Sequence, residues 1–551
     1  MVFEEDPRPA ATEDLMTYAT SRDEASYARL QTAIEDFASQ YGLNANSSGP
    51  RRTIFLFPGG LGSDLMRSYQ AYPNPAQSFE KVWLDIGIWV DVPRLGMLPG
   101  DVDSDQKYVV ADGCMDIPGP IALFHAYEVF IQWCRRNSID LFVFGWDWRR
   151  SVQDAADFFL NVFMPQFDAR FAGMTPHPLD HFSFVGHSAG GMVVKAMLNS
   201  ATNSYVQRVK RAITVATPFY GYGDQIRRFI MGDPYLLVAG FPRSFTARLI
   251  SSLPGGYEYP YLDSYTYEIN QMEFTQDPDG YNLNAYPSLD ADNHAVIADP
   301  YVYDPQRYPP LTGFQSGLLS RGNATARKIS SPLTDAAIAA KFYNIRGVQQ
   351  RNNQDLDETA VGQFWARVSP SFSPDFDPDP VQSVPGPGDG TQPAWTTKLL
   401  GLPDPASQII TIKGDDVDHA TMLDIARVRA KIAELIGLNP ASLDFDDDVF
   451  GLAELMATLE EFNEFMQGMA ETEKFARKFR PEQFSALKSL YLRQYTPAQL
   501  QRLLARYYVE TVNHPGKIRV PSKHDRPPAS KGEKPPKGEK PAHDRGRAGK
   551  K

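Results

Sequence analysis

A serine lies between two glycines in the segment Gly186-His187-Ser188-Ala189-Gly190. The segment directly follows the apolar run HFSFV and ends where the helical stretch GMVVKAML begins. A strand that turns sharply into a helix would lift the serine hydroxyl out of a sheet, and the helix N-terminus favours negative charge that develops there. The spacing therefore indicates a candidate nucleophile. The alternative is an ordinary turn in which this serine only caps the helix.

A serine nucleophile needs a general base to take its proton, and the base needs a carboxylate to orient it. In sheets that carry a nucleophile on such a turn, the acid and the base follow the serine, each after a later strand. The chain has nine histidines, of which only His294 and His419 lie downstream of the serine within the main body, since His514, His524 and His543 lie in or beside the C-terminal tail. Because His419 follows the strand-like run QIITIKG, it is the predicted base.

The predicted acid is Asp389. It lies in the turn PGDGT, downstream of the strand-like run KFYNIRG. Asp415, Asp416 and Asp418 are alternatives, but they crowd the same loop as His419 and would approach its ring poorly. A solvated surface turn is the alternative role for Asp389.

Acyl transfer also needs two backbone N–H groups for the oxyanion, one directly after the nucleophile and one after an early strand. Ala189 would supply the first. The turn PGGLGS at 58–63, directly after TIFLF, would supply the second, at Gly60. A phosphate-binding glycine loop is the alternative for this turn, but no Gly-Lys-Ser/Thr follows it.

Short apolar runs recur along the chain, and helical stretches such as 121–135 and 190–199 lie between several of them. Strands that alternate with helices indicate an α/β fold with a mainly parallel sheet. The strand-like runs are TIFLF at 53–57, IDLFVFGWD at 139–147, HFSFVG at 181–186, RAITVAT at 211–217, KFYNIRG at 341–347 and QIITIKG at 408–414.

Shifts in composition divide the chain into segments. An amphipathic helix precedes the main body, a Tyr-, Pro-, Asp- and Asn-rich insertion interrupts it, and helices with a Pro/Lys/Gly-rich basic tail follow it. The predicted segments are an N-terminal helical segment at 1–50, an α/β core at 51–219 and 341–435, a cap insertion at 220–340, an α-helical C-terminal extension at 436–514 and a disordered basic tail at 515–551.

Composition excludes several classes of protein. The 551 residues carry 55 Lys and Arg against 67 Asp and Glu, a net charge of −12 that disfavours nucleic-acid binding. Two cysteines exclude a disulfide scaffold, and no His, Cys or carboxylate cluster suggests a metal, so neither a metal nor a cofactor is expected. The chain has no apolar run of bilayer length and no signal-peptide pattern at its start, which predicts a cytoplasmic protein. Its oligomeric state is not indicated.

Taken in chain order, the motifs resemble the lecithin:cholesterol acyltransferase family, which includes phospholipid:diacylglycerol acyltransferases and lysosomal phospholipase/transacylases. The resemblance covers roughly residues 50–435. Its motifs are FLFPGGLGSDL at 55–65, VWLDIGIWV at 82–90, GWDWRRS at 145–151, FVGHSAGG at 184–191, ITVATPFYG at 213–221, FYNIRG at 342–347, GDGTQPAWT at 388–396 and DHATM at 418–422.

The resemblance implies an α/β-hydrolase fold with Ser188 as nucleophile, Asp389 as acid and His419 as base, and with Gly60 and Ala189 as oxyanion donors. The implied reaction cleaves an acyl ester of a phospholipid or other lipid through an acyl-enzyme and passes the acyl group to an alcohol or to water. An esterase that acts on soluble esters is one alternative. A non-catalytic scaffold that binds lipid or protein is another.

The resemblance further implies a lid near residues 79–100 that engages lipid, with Leu61, Trp83 and Trp89 as substrate or lid residues and peripheral contact with a membrane. Neither cysteine lies where the disulfide of the animal enzymes' lid would need it, which fits a reducing compartment. Packing of the two tryptophans into the cap is the alternative. Asp147 and Arg149, next to two tryptophans, are interpreted as a structural ion pair.

Overall fold

The computed structural model describes residues 30–39, 41, 51–68, 79–83, 96–97, 109–113, 127–221, 225, 228–229, 243–259, 315–349, 363–368, 381–385, 388–392, 394, 396–414 and 416–445. The strands are β1 Thr53–Phe57, β2 Asp64–Ser68, β3 Phe79–Trp83, β4 Val109–Asp112, β5 Asp140–Val143, β6 Phe182–His187, β7 Arg211–Val215, β8 Phe342–Gln349, β9 Gln363–Val368, β10 Val381–Pro385 and β11 Ile409–Gly414.

The helices lie before, between and after these strands. They are α1 at 30–39, α2 Glu128–Arg136, α3 Val152–Phe158, α4 Met164–Arg170, α5 Ala189–Leu198, α6 Ser204–Arg208, α7 Arg243–Ser251, α8 Ser316–Ser330, α9 Ala336–Ala339, α10 Pro405–Gln408 and α11 Ala426–Leu435. A π-helical turn, Phe159–Phe163, joins α3 to α4.

The main sheet has six strands in the order β11-β8-β7-β6-β1-β5, and every neighbouring pair is parallel. All six strands correspond to apolar runs that the sequence predicts as strands. The mainly parallel sheet with helices on both faces confirms the predicted α/β, hydrolase-type fold. In such a sheet the carboxyl ends of all strands meet at one edge, so residues from distant parts of the chain converge there.

Strand β1 shows how the two layers of the core form. Its side chains alternate, so that Phe55 and Phe57 join one buried cluster and Ile54 and Leu56 join the other. The first cluster contains residues of α1, α3, α4, α5 and α8, and the second contains residues of α2 and α11. Burial of each such side chain stabilises the fold by about 1.5–3 kcal/mol.

Phenylalanine dominates the first cluster. The ring of Phe55 lies edge-on to that of Phe167, with centroids 5.2 Å apart, and the rings of Phe142 and Phe163 are 4.8 Å apart. Phe37 of α1 packs against Phe142 at 5.7 Å, so the described part of the N-terminal helix belongs to this core. Edge-on and tilted aromatic pairs contribute about 0.5–1.5 kcal/mol each beyond the area they bury.

Two smaller antiparallel sheets accompany the main sheet, with the orders β3-β2-β4 and β10-β9. The sequence does not predict them, because segments such as DLMRS and VVAD lack a continuous apolar run. Residues 79–83 of the predicted lid form β3.

The predicted segment boundaries stay predictions. The predicted cap is described only at 220–221, 225, 228–229, 243–259 and 315–340, where α7, α8 and α9 lie, and the predicted C-terminal extension only as far as residue 445. The basic tail lies outside the described residues. No helix in the described part of the chain combines the length and the apolar character needed to cross a bilayer.

Candidate active site

Ser188 lies at the sharp turn between β6 and α5, with a positive φ of 52° and a ψ of −127°. A non-glycine residue in this conformation costs of order 1–3 kcal/mol and persists only where its surroundings hold it. The Ser188 N–H donates to the carbonyl oxygen of Val215 at 2.8 Å, and the Ser188 carbonyl accepts from the N–H of Gly191 at 2.9 Å. The turn is therefore held from both sides, and the serine is partly exposed to solvent.

The two glycines of the motif have no room for a side chain. A Cβ at Gly190 would lie 2.0 Å from the carbonyl oxygen of Phe57 in β1, and a Cβ at Gly186 would lie 2.6 Å from the carbonyl oxygen of Gly190. Because both obstructing atoms belong to backbone, neither clash could be relieved by moving a side chain. The glycines let the first turn of α5 pack directly on the sheet.

His419 brings its imidazole to the serine. Its Nε2 lies 2.9 Å from Ser188 Oγ and its Nδ1 lies 2.8 Å from Asp389 Oδ2. The histidine follows β11, and its backbone N–H donates to the carbonyl oxygen of Asp389 at 2.8 Å. The structure thus joins the three side chains, predicted from widely separated parts of the sequence, in one hydrogen-bonded chain.

Asp389 is 1% exposed and is fixed by its own loop. Its Oδ1 accepts hydrogen bonds from the backbone N–H groups of Thr391, at 3.1 Å, and Gln392, at 2.6 Å. The loop is tied to the end of β8, because the N–H of Gln349 donates to the carbonyl of Gly388 at 2.8 Å. One carboxylate oxygen is thus held by backbone donors, and the other is left for the imidazole.

The alternative acids are engaged elsewhere. Asp416 forms an ion pair with Arg427, and Asp418 Oδ1 accepts from the backbone N–H of Ala420 at 3.0 Å. Asp415 lies outside the described residues. Of the described carboxylates near the ring, Asp389 is therefore the one that is hydrogen-bonded to His419 Nδ1.

Opposing effects set the pKa of His419. Burial lowers it, because the charged imidazolium loses its hydration. The negative charge and the hydrogen bond of Asp389, together with the charge of Asp418, outweigh burial, so the pKa lies above the ordinary histidine value. The site therefore favours a proton on this imidazole, as a general base requires once it has taken the proton of a hydroxyl.

The turn after β1 lies directly beside the serine. A Cβ at Gly59 would be 2.9 Å from Ser188 Cβ, and a Cβ at Gly60 would be 3.7 Å from Ala189 Cβ and 3.5 Å from Tyr259 Oη. The two predicted oxyanion donors, Gly60 and Ala189, are thus close neighbours beside Ser188.

The predicted substrate and lid residues are only partly described. Leu61 has a positive φ of 66° and packs partly buried against the phenylalanine-rich cluster. Trp83 ends β3, and only its backbone is described. Trp89 lies outside the described residues.

Asp147 and Arg149 form a buried, bidentate ion pair, with Nε–Oδ1 and Nη2–Oδ2 distances of 2.9 Å. The Arg149 side chain is fully buried, and its backbone carbonyl accepts from the N–H of Gly255 at 2.8 Å. These contacts match the structural role interpreted from the sequence. Among the described residues, no group of three or more His, Cys, Asp or Glu side chains is placed to hold a metal ion.

Two further buried residues, which the sequence does not predict as functional, lie next to the site. His187 and Tyr127 are 3% and 1% exposed, and the Tyr127 hydroxyl lies 2.9 Å from His187 Nδ1. Burial, and secondarily the proximity of His419, lowers the pKa of His187 to about 3, so its ring is neutral. The signal for His187 was its place inside the motif, whereas Tyr127 lies in no motif.

The chain has limited similarity to known proteins. No family model matches the chain, and no curated protein matches it. Among solved structures, a chain of the crystal structure of the Tle4–Tli4 complex is similar at 13% sequence identity, with a TM-score of 0.39, over 72% of this chain and 100% of that chain.

Proposed function

We propose that the chain is a serine-dependent enzyme that cleaves an acyl ester of a lipid, such as a phospholipid, through an acyl-enzyme and passes the acyl group to an alcohol or to water. The observation that carries this proposal is the continuous chain of hydrogen bonds from Ser188 through His419 to Asp389, at 2.9 and 2.8 Å. These distances lie within the reach needed for proton transfer from a nucleophile to its base. The choice of a lipid substrate rests on the resemblance of the sequence motifs.

The first half of the reaction forms the acyl-enzyme. Ser188 Oγ attacks the ester carbonyl while His419 Nε2 takes the hydroxyl proton, and Asp389 stabilises the resulting imidazolium. The negative charge moves to the carbonyl oxygen, where the N–H groups of Gly60 and Ala189 would stabilise it, each by about 3 kcal/mol of barrier. Collapse of this intermediate breaks the ester bond, and the leaving alkoxide takes the proton from His419.

The second half runs the same steps in reverse. An acceptor alcohol or a water molecule gives its proton to His419 Nε2 as its oxygen attacks the acyl carbonyl. The tetrahedral intermediate then expels Ser188 Oγ, which recovers the proton from His419. Transfer and hydrolysis therefore share every site residue and differ only in which hydroxyl reaches the acyl-enzyme.

The test of the nucleophile combines a covalent probe with a substitution. A fluorophosphonate should phosphonylate Ser188 Oγ with loss of fluoride, and peptide mass spectrometry should find the adduct on that residue. Ser188→Ala should abolish labelling and lower ester turnover by at least about 10³-fold without changing the melting temperature much. Turnover at the wild-type rate in this variant would refute the proposal, and absent labelling of the wild type would favour a non-catalytic scaffold.

The substrate class needs a separate experiment. The purified protein is incubated with mixed-phospholipid vesicles and a free long-chain alcohol, and the lipids lost and gained are identified by mass. A new ester of the added alcohol supports acyl transfer, and free fatty acid alone supports a lipase. Turnover of soluble short-chain esters with no change in the vesicle lipids would support the esterase alternative.

We also propose that the segment near residues 79–100 contacts the lipid surface peripherally. Tryptophan rings favour the interface between water and acyl chains, and the segment carries Trp83 and Trp89. Co-sedimentation with vesicles should weaken when Trp89 is replaced by Ala, while turnover of a soluble ester stays unchanged. Equal binding by the variant would refute this part of the proposal.

A further inference from the structure

A second chain of hydrogen bonds meets the Ser188–His419–Asp389 chain at His419. The backbone N–H of Gly59 donates to Tyr127 Oη at 2.7 Å, Tyr127 Oη lies 2.9 Å from His187 Nδ1, and His187 Nε2 lies 2.8 Å from the carbonyl oxygen of His419. It connects the turn after β1 with the turn after β11. The two turns are thus joined through side chains as well as through the sheet.

The chemistry of the partners sets the protons in this chain. The His419 carbonyl can only accept, so His187 Nε2 carries the proton and donates it. In the neutral ring Nδ1 is then an acceptor, and the Tyr127 hydroxyl donates to it. The hydroxyl oxygen in turn accepts from Gly59. Each hydrogen bond thus has a defined donor, and the bonds run in a single direction from Gly59 to His419.

Both ends of this chain of hydrogen bonds lie at residues next to or within the candidate site. Gly59 precedes the predicted oxyanion donor Gly60, and a Cβ on Gly59 would lie 2.9 Å from Ser188 Cβ. At the other end, the accepting carbonyl belongs to the predicted base itself. Tyr127 and His187 are buried, and their outer contacts are with backbone groups of the two turns.

We propose that Tyr127 and His187 are positioning residues that hold the oxyanion turn and the turn of the base at a fixed separation. This inference rests on the proposed function for its catalytic meaning. The hydrogen bonds constrain two groups that must act in the same step, the N–H of Gly60 at the carbonyl oxygen and the imidazole of His419 at Ser188 Oγ. A displacement of about 1 Å in such a pair lowers the rate about 10²-fold.

The neutral ring of His187 suits this position. Its centroid lies 5.2 Å from that of His419, which becomes positively charged when it takes the serine proton. A second cation there would oppose that step, whereas a neutral ring whose Nε2–H is already donated to a carbonyl does not compete for the proton. Tyr127 contributes no charge either, since its hydroxyl keeps the proton that it donates to His187.

Three variants separate this role from ordinary support of the fold. Tyr127→Phe keeps the ring and removes only the hydroxyl. His187→Ala removes both contacts of the imidazole, and His187→Gln returns an amide donor that can reach the His419 carbonyl. Tyr41→Phe is the matched control, because this tyrosine is also buried and its hydroxyl donates to the Pro176 carbonyl at 2.8 Å, away from the site.

The first measurement is the rate of fluorophosphonate labelling, with kcat and KM for a soluble ester. Tyr127→Phe should lower the labelling rate and kcat about 10- to 100-fold with KM nearly unchanged, and His187→Gln should recover part of the loss seen in His187→Ala. Tyr41→Phe should lower the melting temperature and leave kcat unchanged. Wild-type kcat in Tyr127→Phe, or no recovery by His187→Gln, would overturn the proposal.

The second measurement does not depend on activity. Hydrogen exchange should be faster in Tyr127→Phe for the peptide that contains Gly59, and faster in His187→Ala for the peptides that contain Gly59 and His419. Unchanged exchange in these peptides would overturn the link between the two turns. If the wild type is not labelled at Ser188, the proposed function fails, while the exchange data still decide whether the chain of hydrogen bonds holds the turns together.

Discussion

Replacing Asp389 by Asn is the sharpest test of how this site works, because the structure fixes which way the new amide must face. Oδ1 of Asp389 accepts from two backbone N–H groups, those of Thr391 and Gln392. Of the two ends of an asparagine amide, only the oxygen can accept from these N–H groups as Oδ1 does. The amide NH₂ is therefore forced toward His419 Nδ1. That nitrogen must then accept, and the imidazole proton moves to Nε2. The tautomer that results cannot accept the proton of Ser188.

The expected loss of kcat follows from this change of the His419 tautomer. A wrong tautomer with intact geometry lowers kcat by about 10⁴-fold in Ser-His-Asp sites, which is about 5.5 kcal/mol of barrier. Asp389→Asn also removes the charge that raises the pKa of His419, which leaves burial as the dominant effect and moves this pKa downward. The acidic limb of the residual rate against pH should therefore shift to lower pH.

The assay is steady-state turnover of a chromogenic soluble ester across pH, together with the rate of fluorophosphonate labelling. Asp418→Asn is the matched control: it removes a neighbouring negative charge that also raises the pKa of His419, but it leaves the Asp389 contact in place. It should shift the acidic limb slightly and change kcat little. Retention of more than about a tenth of the wild-type kcat by Asp389→Asn would refute the assignment of Asp389 as the orienting acid.

Two further predictions concern stability. Burial raises the pKa of Glu258 from 4.5 to about 8, so the folded chain holds a proton that the unfolded chain releases. The free energy of unfolding should therefore fall by a few kcal/mol as pH rises from about 5 to 8. Thermal melts of Glu258→Gln should lose this pH dependence, and an unchanged slope of melting temperature against pH would contradict the reasoning. Gly190→Ala, whose Cβ would lie 2.0 Å from the Phe57 carbonyl, should cost more than about 4 kcal/mol. The control Gly317→Ala, at an exposed helical position with nothing within 4 Å, should melt at the wild-type temperature or above, and equal melting of the two variants would exclude the clash.

The parts of the fold that the sequence predicts are those with a local signature. The strand β1 is one continuous apolar run whose ends match the predicted ends at 53 and 57. The turn at Ser188 is marked by glycines that the packing requires. The two small antiparallel sheets escape prediction because their strands are short and mixed in polarity.

The residues of the candidate site likewise differ in whether the sequence alone could predict them. His419 could be selected from nine histidines because its order and its preceding strand are both visible in the sequence. Asp389 follows from the same order, but nothing local shows that Thr391 and Gln392 donate to its Oδ1. Tyr127 could not be found, because its contacts with Gly59 and His187 arise only when the ends of separate elements meet at one edge of the sheet.

The geometry also limits where substrate choice can reside. Ser188, His419 and Asp389 are each held by hydrogen bonds with backbone groups, and the glycines around the serine leave no space for adjustment. In the proposed reaction, acyl transfer and hydrolysis use these groups identically, so a change within them should not favour an alcohol over water. The preference must come from groups that exclude water and hold the acceptor beside the acyl carbonyl. Substitutions that alter the ratio of transfer to hydrolysis should therefore map to surfaces around the site, and those within the three residues should lower both rates together.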